Sequence, residues 1–210
     1  STIAIRRLPS MGNPDYLLYA VHLGFWASFG CTRVLLRQRA RSGAPAHPAP
    51  TATHEATARF SRSLVVLHAL AFGLLYVGMG NAIIPNRVPP WFPGHRPVGA
   101  AIIAAGALLM NWALVYFRSW RVRAKVDAGH QLATGGPFRL SRHPIYMGLN
   151  LLALGSAVWV PTPMLWAAVG LMLVGSDLRA RGEERVLLTA FGGAYREYCA
   201  RTRRFLPGVY

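Results

Sequence analysis

Apolar residues fall into five blocks along the chain. Tyr16 to Leu36 holds no charge except Arg33 near its end, Ser63 to Ile84 stops at Pro85, and Val98 to Phe117 holds none. Each is close to the ~20 residues that carry an α-helix across a bilayer core. The last two blocks, Ile145 to Val160 and Met164 to Ser176, are shorter and are separated only by Pro161-Thr162-Pro163. Proline cannot continue a helix and pushes the residue before it out of helical conformation, so this break predicts a tight helical hairpin. Arms of this length cross only with help from flanking residues or a locally thinned bilayer.

The pattern therefore predicts an all-α integral membrane protein of one domain, 1–210, with five transmembrane helices at about 16–36, 63–84, 98–117, 145–160 and 164–178. The first block is too long for the apolar region of a signal peptide and no small-residue cleavage site follows it, so it is expected to stay as a helix. Tyr16, Tyr19, Trp26 and Trp91 are placed to anchor helix ends at the interface. The segment Arg37 to Arg62, with Pro45, Pro48 and Pro50, is expected to be an extended or mobile loop. Small residues in the third block, Gly99, Ala100, Ala104, Ala105 and Gly106, allow a neighbouring helix to approach closely. His68 and Asn81 are polar exceptions inside the second block, either contacts between helices or residues lining a substrate path.

Composition agrees: 53% of the 210 residues are hydrophobic and 14% charged, with a mean hydropathy of +0.29. The net charge of +16 taken alone suits nucleic acid as well as an anionic membrane surface. Its distribution decides. Of the 23 Lys and Arg, 19 fall in the first loop with its helix ends, the third loop and the C-terminal segment, and four in the N-terminal tail and second loop. The positive-inside rule then puts the N-terminus outside and the C-terminus in the cytoplasm, as in a bacterial inner membrane, with a cytoplasmic C-terminal helical segment. The basic residues are accounted for by membrane lipids, with no nucleic acid partner. Cys31 and Cys199 are too few and too dispersed for a disulfide framework or a thiolate metal site and read as reduced structural thiols; no metal site is expected.

Two polar segments remain for chemistry. One is Gly135-Gly136-Pro137-Phe138-Arg139-Leu140-Ser141-Arg142-His143-Pro144-Ile145-Tyr146, just before the fourth helix; the other is Arg179-Ala180-Arg181-Gly182-Glu183-Glu184-Arg185, just after the fifth. An antiparallel hairpin makes them neighbours. Carboxylates at a bilayer edge need solvent or a cationic partner, and Arg142 and His143 stand opposite. Pro144 suits the first turn of a helix, whose N-terminus, with Arg142 and His143, can face an anionic group. Beyond the acids, Val186 to Phe191 predicts a short helix ended by Gly192-Gly193, with Tyr195, Tyr198 and Cys199 on the next one; an amphipathic pair lying on the membrane is the plainer reading of that segment.

These residues carry a resemblance. Gly129-His130-Gln131-Leu132-Ala133-Thr134-Gly135-Gly136-Pro137-Phe138, Arg142-His143-Pro144-Ile145-Tyr146, Glu183-Glu184, Phe191-Gly192-Gly193-Ala194-Tyr195-Arg196-Glu197-Tyr198 and Arg204-Phe205-Leu206-Pro207 resemble the isoprenylcysteine carboxyl methyltransferase family, including its short prokaryotic members. The likeness is strong over the C-terminal half; the N-terminal helices agree only in number and hydropathy. It implies a membrane methyltransferase that uses S-adenosylmethionine and takes a lipophilic small-molecule or lipid-linked substrate from the bilayer. It also implies a cofactor-binding half over about 118–210, with His130, Leu132, Gly136, Arg142, His143, Tyr146, Glu183, Tyr195 and Tyr198 at the cofactor. Phe138 stands where the family often has Tyr. No strand and Gly-rich loop of a soluble nucleotide-binding fold occurs in the sequence, consistent with a cofactor site built from helices.

S-adenosylmethionine carries a sulfonium, an ammonium, a carboxylate and an adenine, which call for carboxylates and aromatic faces on one side and a cation or N–H groups on the other. Tyr146, Tyr195 and Tyr198 supply the first, and Arg142 with the helix start the second. Glu184 or Arg179 is expected to face the methyl acceptor as the catalytic residue, Arg179 if the acceptor is a carboxylate. Three other readings stay open: a phospholipid N-methyltransferase acting on an amine headgroup, methylation of a small thiol or other hydrophobic metabolite, and a non-catalytic membrane scaffold or small transporter.

Overall fold

A computed structural model describes residues 16–43, 55–80, 92–117 and 132–206, without side chains for 40–43 and 55–64. Within them the chain is helical: α1 Leu17–Gly43, α2 Glu55–Met79, α3 His95–Phe117, a single 3₁₀ turn Gly136–Arg139, α4 Pro144–Trp159 and α5 Pro163–Arg201. His130, Asn81 and Trp91 lie outside the described residues. Part of the segment expected as a mobile loop is helix instead, since α1 reaches Gly43 and α2 starts at Glu55.

The helix α4 is the centre of the bundle. Most of its residues are buried, from Pro144 and Tyr146 through Leu152 and Ala153 to Trp159. It can be so enclosed because α3 lies against it almost backbone to backbone. Gly99 faces Gly155 and Gly106 faces Gly148, so both helices present glycine at a seven-residue interval on an antiparallel seam. A Cβ at Gly99 would sit 2.6 Å from the Gly155 carbonyl oxygen, and one at Gly106 would sit 2.7 Å from that of Gly148. Glycine is thus required by close approach, the packing that small residues also allow between helices in lipid. Gly99 and Gly106 are among the small residues singled out in the third block; their α4 partners are not visible as partners in a single sequence.

On the other side α4 turns back into α5 through Val160, Pro161 and Thr162. Thr162 caps α5, its side chain accepting from the Leu165 N–H at 3.3 Å, with Pro163 at the first position of the helix. α2 packs along α5 and α1 along α3. The core cluster gathers Leu18 and Phe25 of α1, Ala71, Leu75 and Met79 of α2, Ile103 and Met110 of α3, and Leu152, Ala157, Leu165 and Met172 of the hairpin.

The fifth helix differs most from its expected extent. It runs 39 residues to Arg201 instead of stopping near 178. Gly192-Gly193 does not end it; Gly192 takes φ 52° and ψ −118°, so the helix bends there and resumes. A positive φ is open to glycine at little cost, and the bend redirects Tyr195 and Tyr198 toward the start of α4. After Thr202 the chain lies beside residues 141–143: the Arg142 N–H donates to the Arg203 carbonyl at 3.0 Å and the His143 N–H to the Arg204 carbonyl at 3.3 Å.

Among the described residues one helix, α3, is both long and apolar enough to cross a membrane, and the apolar stretches Val65–Met79 and Pro144–Trp159 are shorter. Large apolar side chains nonetheless face outward on four helices, among them Leu23 on α1, Val65, Val66 and Val77 on α2, Leu108, Trp112 and Val115 on α3, and Trp166, Leu173 and Val174 on α5. Large apolar side chains exposed on four helices suit a surface covered by lipid or by a partner.

Candidate functional site

The two polar segments meet at one end of the α4–α5 hairpin. Glu184 of α5 is the hub of the ion pairs. Its Oε1 accepts from Arg142 Nε at 3.0 Å and from Arg204 Nε at 3.0 Å, lies 3.2 Å from His143 Nε2, and its Oε2 accepts from the second Arg204 nitrogen at 2.7 Å. Arg204 also reaches Asp177 Oδ1 at 2.9 Å. Arg142 Nη2 also lies 3.0 Å from Glu184 Oε1, and its Nη1 donates to the carbonyls of Thr202 at 2.7 Å and Cys199 at 3.3 Å. Burial alone would raise the Glu184 pKa; the hydrogen bonds from His143 and Arg204 and the charge of Arg142 outweigh it and hold the carboxyl well below the usual carboxylate range.

His143 sits between the two acids. Its Nδ1 is 3.5 Å from Glu183 Oε2 and its Nε2 3.2 Å from Glu184 Oε1, so both ring nitrogens face carboxylates, which suits an imidazolium with two donors. Burial favours the neutral ring, but the hydrogen bonds to Glu183 and Glu184 and their charges prevail and the pKa is raised. The ring stacks on Tyr146 with centroids 5.7 Å apart at 18°. Tyr146 in turn donates its hydroxyl hydrogen to Glu183 and accepts from Arg179 Nε at 3.1 Å, with the Arg179 guanidinium 5.4 Å from its ring centroid. A continuous chain runs Arg179, Tyr146, Glu183, His143, Glu184. Arg179 has no carboxylate partner among the described residues.

The second wall comes from beyond the Gly192 bend. Tyr198 donates to the Phe138 carbonyl at 2.7 Å, tying the end of α5 to the 3₁₀ turn. Tyr195 is buried beside it, ring centroids 6.1 Å apart, and its hydroxyl is one of two buried side-chain polar atoms without a partner among the described residues. Burial raises the pKa of both phenols, so they stay protonated. Gly136, with φ 56°, lies under Tyr116 of α3, where a Cβ would come within 2.5 Å of the ring. Leu132 is half-buried ahead of the turn.

Of the residues expected at the site, Arg142, His143, Tyr146, Arg179, Glu183 and Glu184 form one connected cluster, and Gly136, Tyr195 and Tyr198 form the wall beside it. Two expected roles meet a different geometry. The start of α4 is not open to an anion through Arg142 and His143, whose backbone N–H groups are taken by Arg203 and Arg204. Glu184 has both oxygens engaged by two arginines and a histidine, which leaves it as the pin of the cluster instead of a group facing an acceptor. Arg204, Asp177 and Ser141 were not expected. Ser141 Oγ donates to the Arg204 carbonyl at 2.8 Å and accepts from the His143 N–H at 3.1 Å. The signal for Arg204 is indirect: a half-buried acid pair needs more than one cation.

S-adenosylmethionine fits the residues present. Glu183 and the tyrosine faces suit a sulfonium and an ammonium, and the buried Tyr195 hydroxyl, without a hydrogen-bond partner among the described residues, can donate to an acceptor atom.

Residues 95–194 match the family model described as phospholipid methyltransferase. The chain is 30% identical over 145 residues to the probable protein-S-isoprenylcysteine O-methyltransferases of Oryza sativa subsp. indica and subsp. japonica, covering 67% of this chain and 75% of each relative. Its fold is similar to that of the eukaryotic intramembrane Ras methyltransferase, isoprenylcysteine carboxyl methyltransferase, with a TM-score of 0.60 at 19% identity, covering 95% of this chain and 70% of that one.

Proposed function

The chain belongs to the isoprenylcysteine carboxyl methyltransferase family, and from that premise we propose that it transfers a methyl group from S-adenosylmethionine to the carboxylate of a lipophilic, isoprenylcysteine-type acceptor. The transfer takes place at the cytoplasmic face of a membrane that its five helices span, and the outward apolar side chains of α1, α2, α3 and α5 together with the loop charges support that placement. The observation that carries the proposal is Arg179, a half-buried guanidinium held against Tyr146 beside the acid pair, with no carboxylate partner among the described residues.

S-adenosylmethionine, when bound, supplies an electrophilic methyl carbon on a positively charged sulfur. Glu183, with Tyr146, would hold that positive charge, and the Tyr195 hydroxyl would serve as a donor to the ligand. His143, Glu184, Arg142 and Arg204 position these groups. Arg179 pairs with the acceptor carboxylate and orients an oxygen toward the methyl carbon. No base is required, because a carboxylate with an ordinary pKa near ~3.5 arrives deprotonated at neutral pH. With the cofactor bound, the acceptor oxygen that Arg179 holds would take up the methyl group, giving a methyl ester, and the sulfonium would leave as a neutral thioether. Charge disappears in the step, so a dry site with both partners held in line favours it.

The family model matching residues 95–194 favours a second reading, N-methylation of a phospholipid amine. There the acceptor nitrogen would approach Arg179, a guanidinium with no carboxylate partner among the described residues, which is unfavourable for an ammonium headgroup. The arginine is the test. In Arg179→Leu the acceptor KM should rise by about tenfold or more while cofactor affinity stays within about twofold, the pattern of a lost ground-state contact. An unchanged acceptor KM would remove the carboxylate reading.

A further inference from the structure

Arg179 and Glu183 stand four residues apart on α5, the spacing at which opposite charges on one helix face meet and pair. They do not pair. Arg179 has no carboxylate partner among the described residues, and the Tyr146 hydroxyl of α4 lies between the two, donating its hydrogen to Glu183 and accepting from Arg179 Nε at 3.1 Å. A hydroxyl has one hydrogen, so Tyr146 offers none to a ligand while this arrangement holds.

The ring that carries the hydroxyl is held in place. Tyr146 is buried with Ala180 and Phe205, and its ring stacks on that of His143 at 18°. The Arg179 guanidinium lies 5.4 Å from the centroid of the same ring. Glu183 is steadied from its other side, with Oε2 3.5 Å from His143 Nδ1. Arg179 and Glu183 are both half-buried, where attraction between opposite charges is stronger than in bulk water. In direct contact they would satisfy one another. The methyl transfer proposed above needs the reverse, a cation for the acceptor carboxylate and an anion for the sulfonium, adjacent and both available.

We propose that Tyr146 is a positioning residue whose hydroxyl acts as a spacer: it keeps Arg179 and Glu183 from closing into an ion pair, so that one site holds an anionic acceptor beside a cationic cofactor. This role rests on the carboxylate reading above and deepens it, because it explains how Arg179 stays available with an acid one helical turn away. Without the hydroxyl, the spacing along α5 closes the pair and both ligands lose their contacts together.

The test uses the full-length protein in detergent micelles. Cofactor binding is measured by calorimetry with S-adenosylmethionine alone. Acceptor binding is measured without cofactor, as the thermal shift given by S-farnesyl-N-acetylcysteine less that given by its methyl ester, which lacks the charge. Tyr146→Phe keeps the ring and loses the hydroxyl; it should weaken cofactor affinity by about tenfold and remove most of the acid–ester difference. A second substitution should then repair one half of the site at a time. Tyr146→Phe/Glu183→Gln frees Arg179 and should restore the acid–ester difference, with cofactor affinity still weak. Tyr146→Phe/Arg179→Leu frees Glu183 and should return cofactor affinity to within about threefold of wild type, with the acid–ester difference still absent. Damage to packing alone would be repaired by neither. Should Tyr146→Phe fail to fold, Tyr146→Leu, which also lacks the hydroxyl, carries the same expectations. A folded hydroxyl-free variant that binds both ligands as the wild type does, or losses that neither second substitution repairs, would overturn the spacer role and leave Arg179 standing as the acceptor contact. If acid and ester stabilise the wild type equally, the carboxylate reading is wrong and the spacer role falls with it.

Discussion

His143 sets the behaviour of the site at the scale of single residues, because both of its ring nitrogens face carboxylates. Its folded pKa is raised above the unfolded value of about 6.5, so the stability it contributes is fully present below that pH and is lost as pH rises through the folded pKa. Glu184 is the opposite case, with a folded pKa lowered by its cations; its contribution is present above the unfolded carboxylate value, about 4.3, and lost only as pH falls toward the folded pKa. Thermal unfolding followed from pH 5 to pH 9 should therefore show declining stability on the alkaline side, and His143→Gln should flatten that decline without altering the acid limb. A decline of unchanged slope in the variant would assign it to other groups. Glu184→Ala leaves Arg142 and Arg204 half-buried without their shared partner and should destabilise the fold by about 3–5 kcal/mol, read as a large fall in Tm. Most of this cluster is legible in the sequence, because charged residues flanking two apolar arms must meet when the arms fold antiparallel. The assignment of each charge is not: that Arg142 spends itself on Glu184 and two carbonyls, and that Arg204 returns to share the same carboxylate, depends on where Gly192 bends the chain.

Among the elements, the α3–α4 seam and the bend in α5 decide whether the site exists. Gly155 presents its Cα to the Gly99 carbonyl, with room for no side chain, whereas a Cβ at Gly170 on α5 would meet nothing within 4 Å. Gly155→Leu should abolish the folded, monodisperse protein in size-exclusion chromatography, while Gly170→Leu should leave elution and Tm close to wild type; equal behaviour of the two would mean that the seam is not under the constraint its geometry implies. Five apolar arms could be read from hydropathy because lipid-facing and core-facing residues are both apolar. The length of α5 could not. Past Ser176 its sequence turns polar, and Gly192-Gly193 looks like a terminator, yet the helix continues because Tyr195 and Tyr198 are buried on its inner side and Tyr198 is bonded to the Phe138 carbonyl. Tertiary contacts of this kind override a local stop signal.

For the whole molecule, charge and hydropathy make a joint claim about placement. With 19 of 23 cationic residues in segments assigned to one side, Arg203 should lie in the cytoplasm and the Pro161–Pro163 turn on the opposite face. Single cysteines placed at Arg203 and at Thr162, in a background lacking Cys31 and Cys199, make this measurable with a membrane-impermeant maleimide. Thr162→Cys should label in intact cells and Arg203→Cys only after permeabilisation; the reverse pattern would invert the topology and remove the site from the cytoplasmic cofactor pool. The central claim is more direct still, that Arg179 receives a carboxylate and the product is an ester. Purified protein in lipid nanodiscs that include phosphatidylethanolamine should be incubated with S-adenosylmethionine labelled in its methyl group and with S-farnesyl-N-acetylcysteine, and the label followed through mild alkali. Label in the farnesylated product, released as methanol by base and reduced at least about tenfold in Arg179→Leu, is the expected result. Base-stable label in the phospholipid fraction, with none in the farnesylated acid, would contradict it.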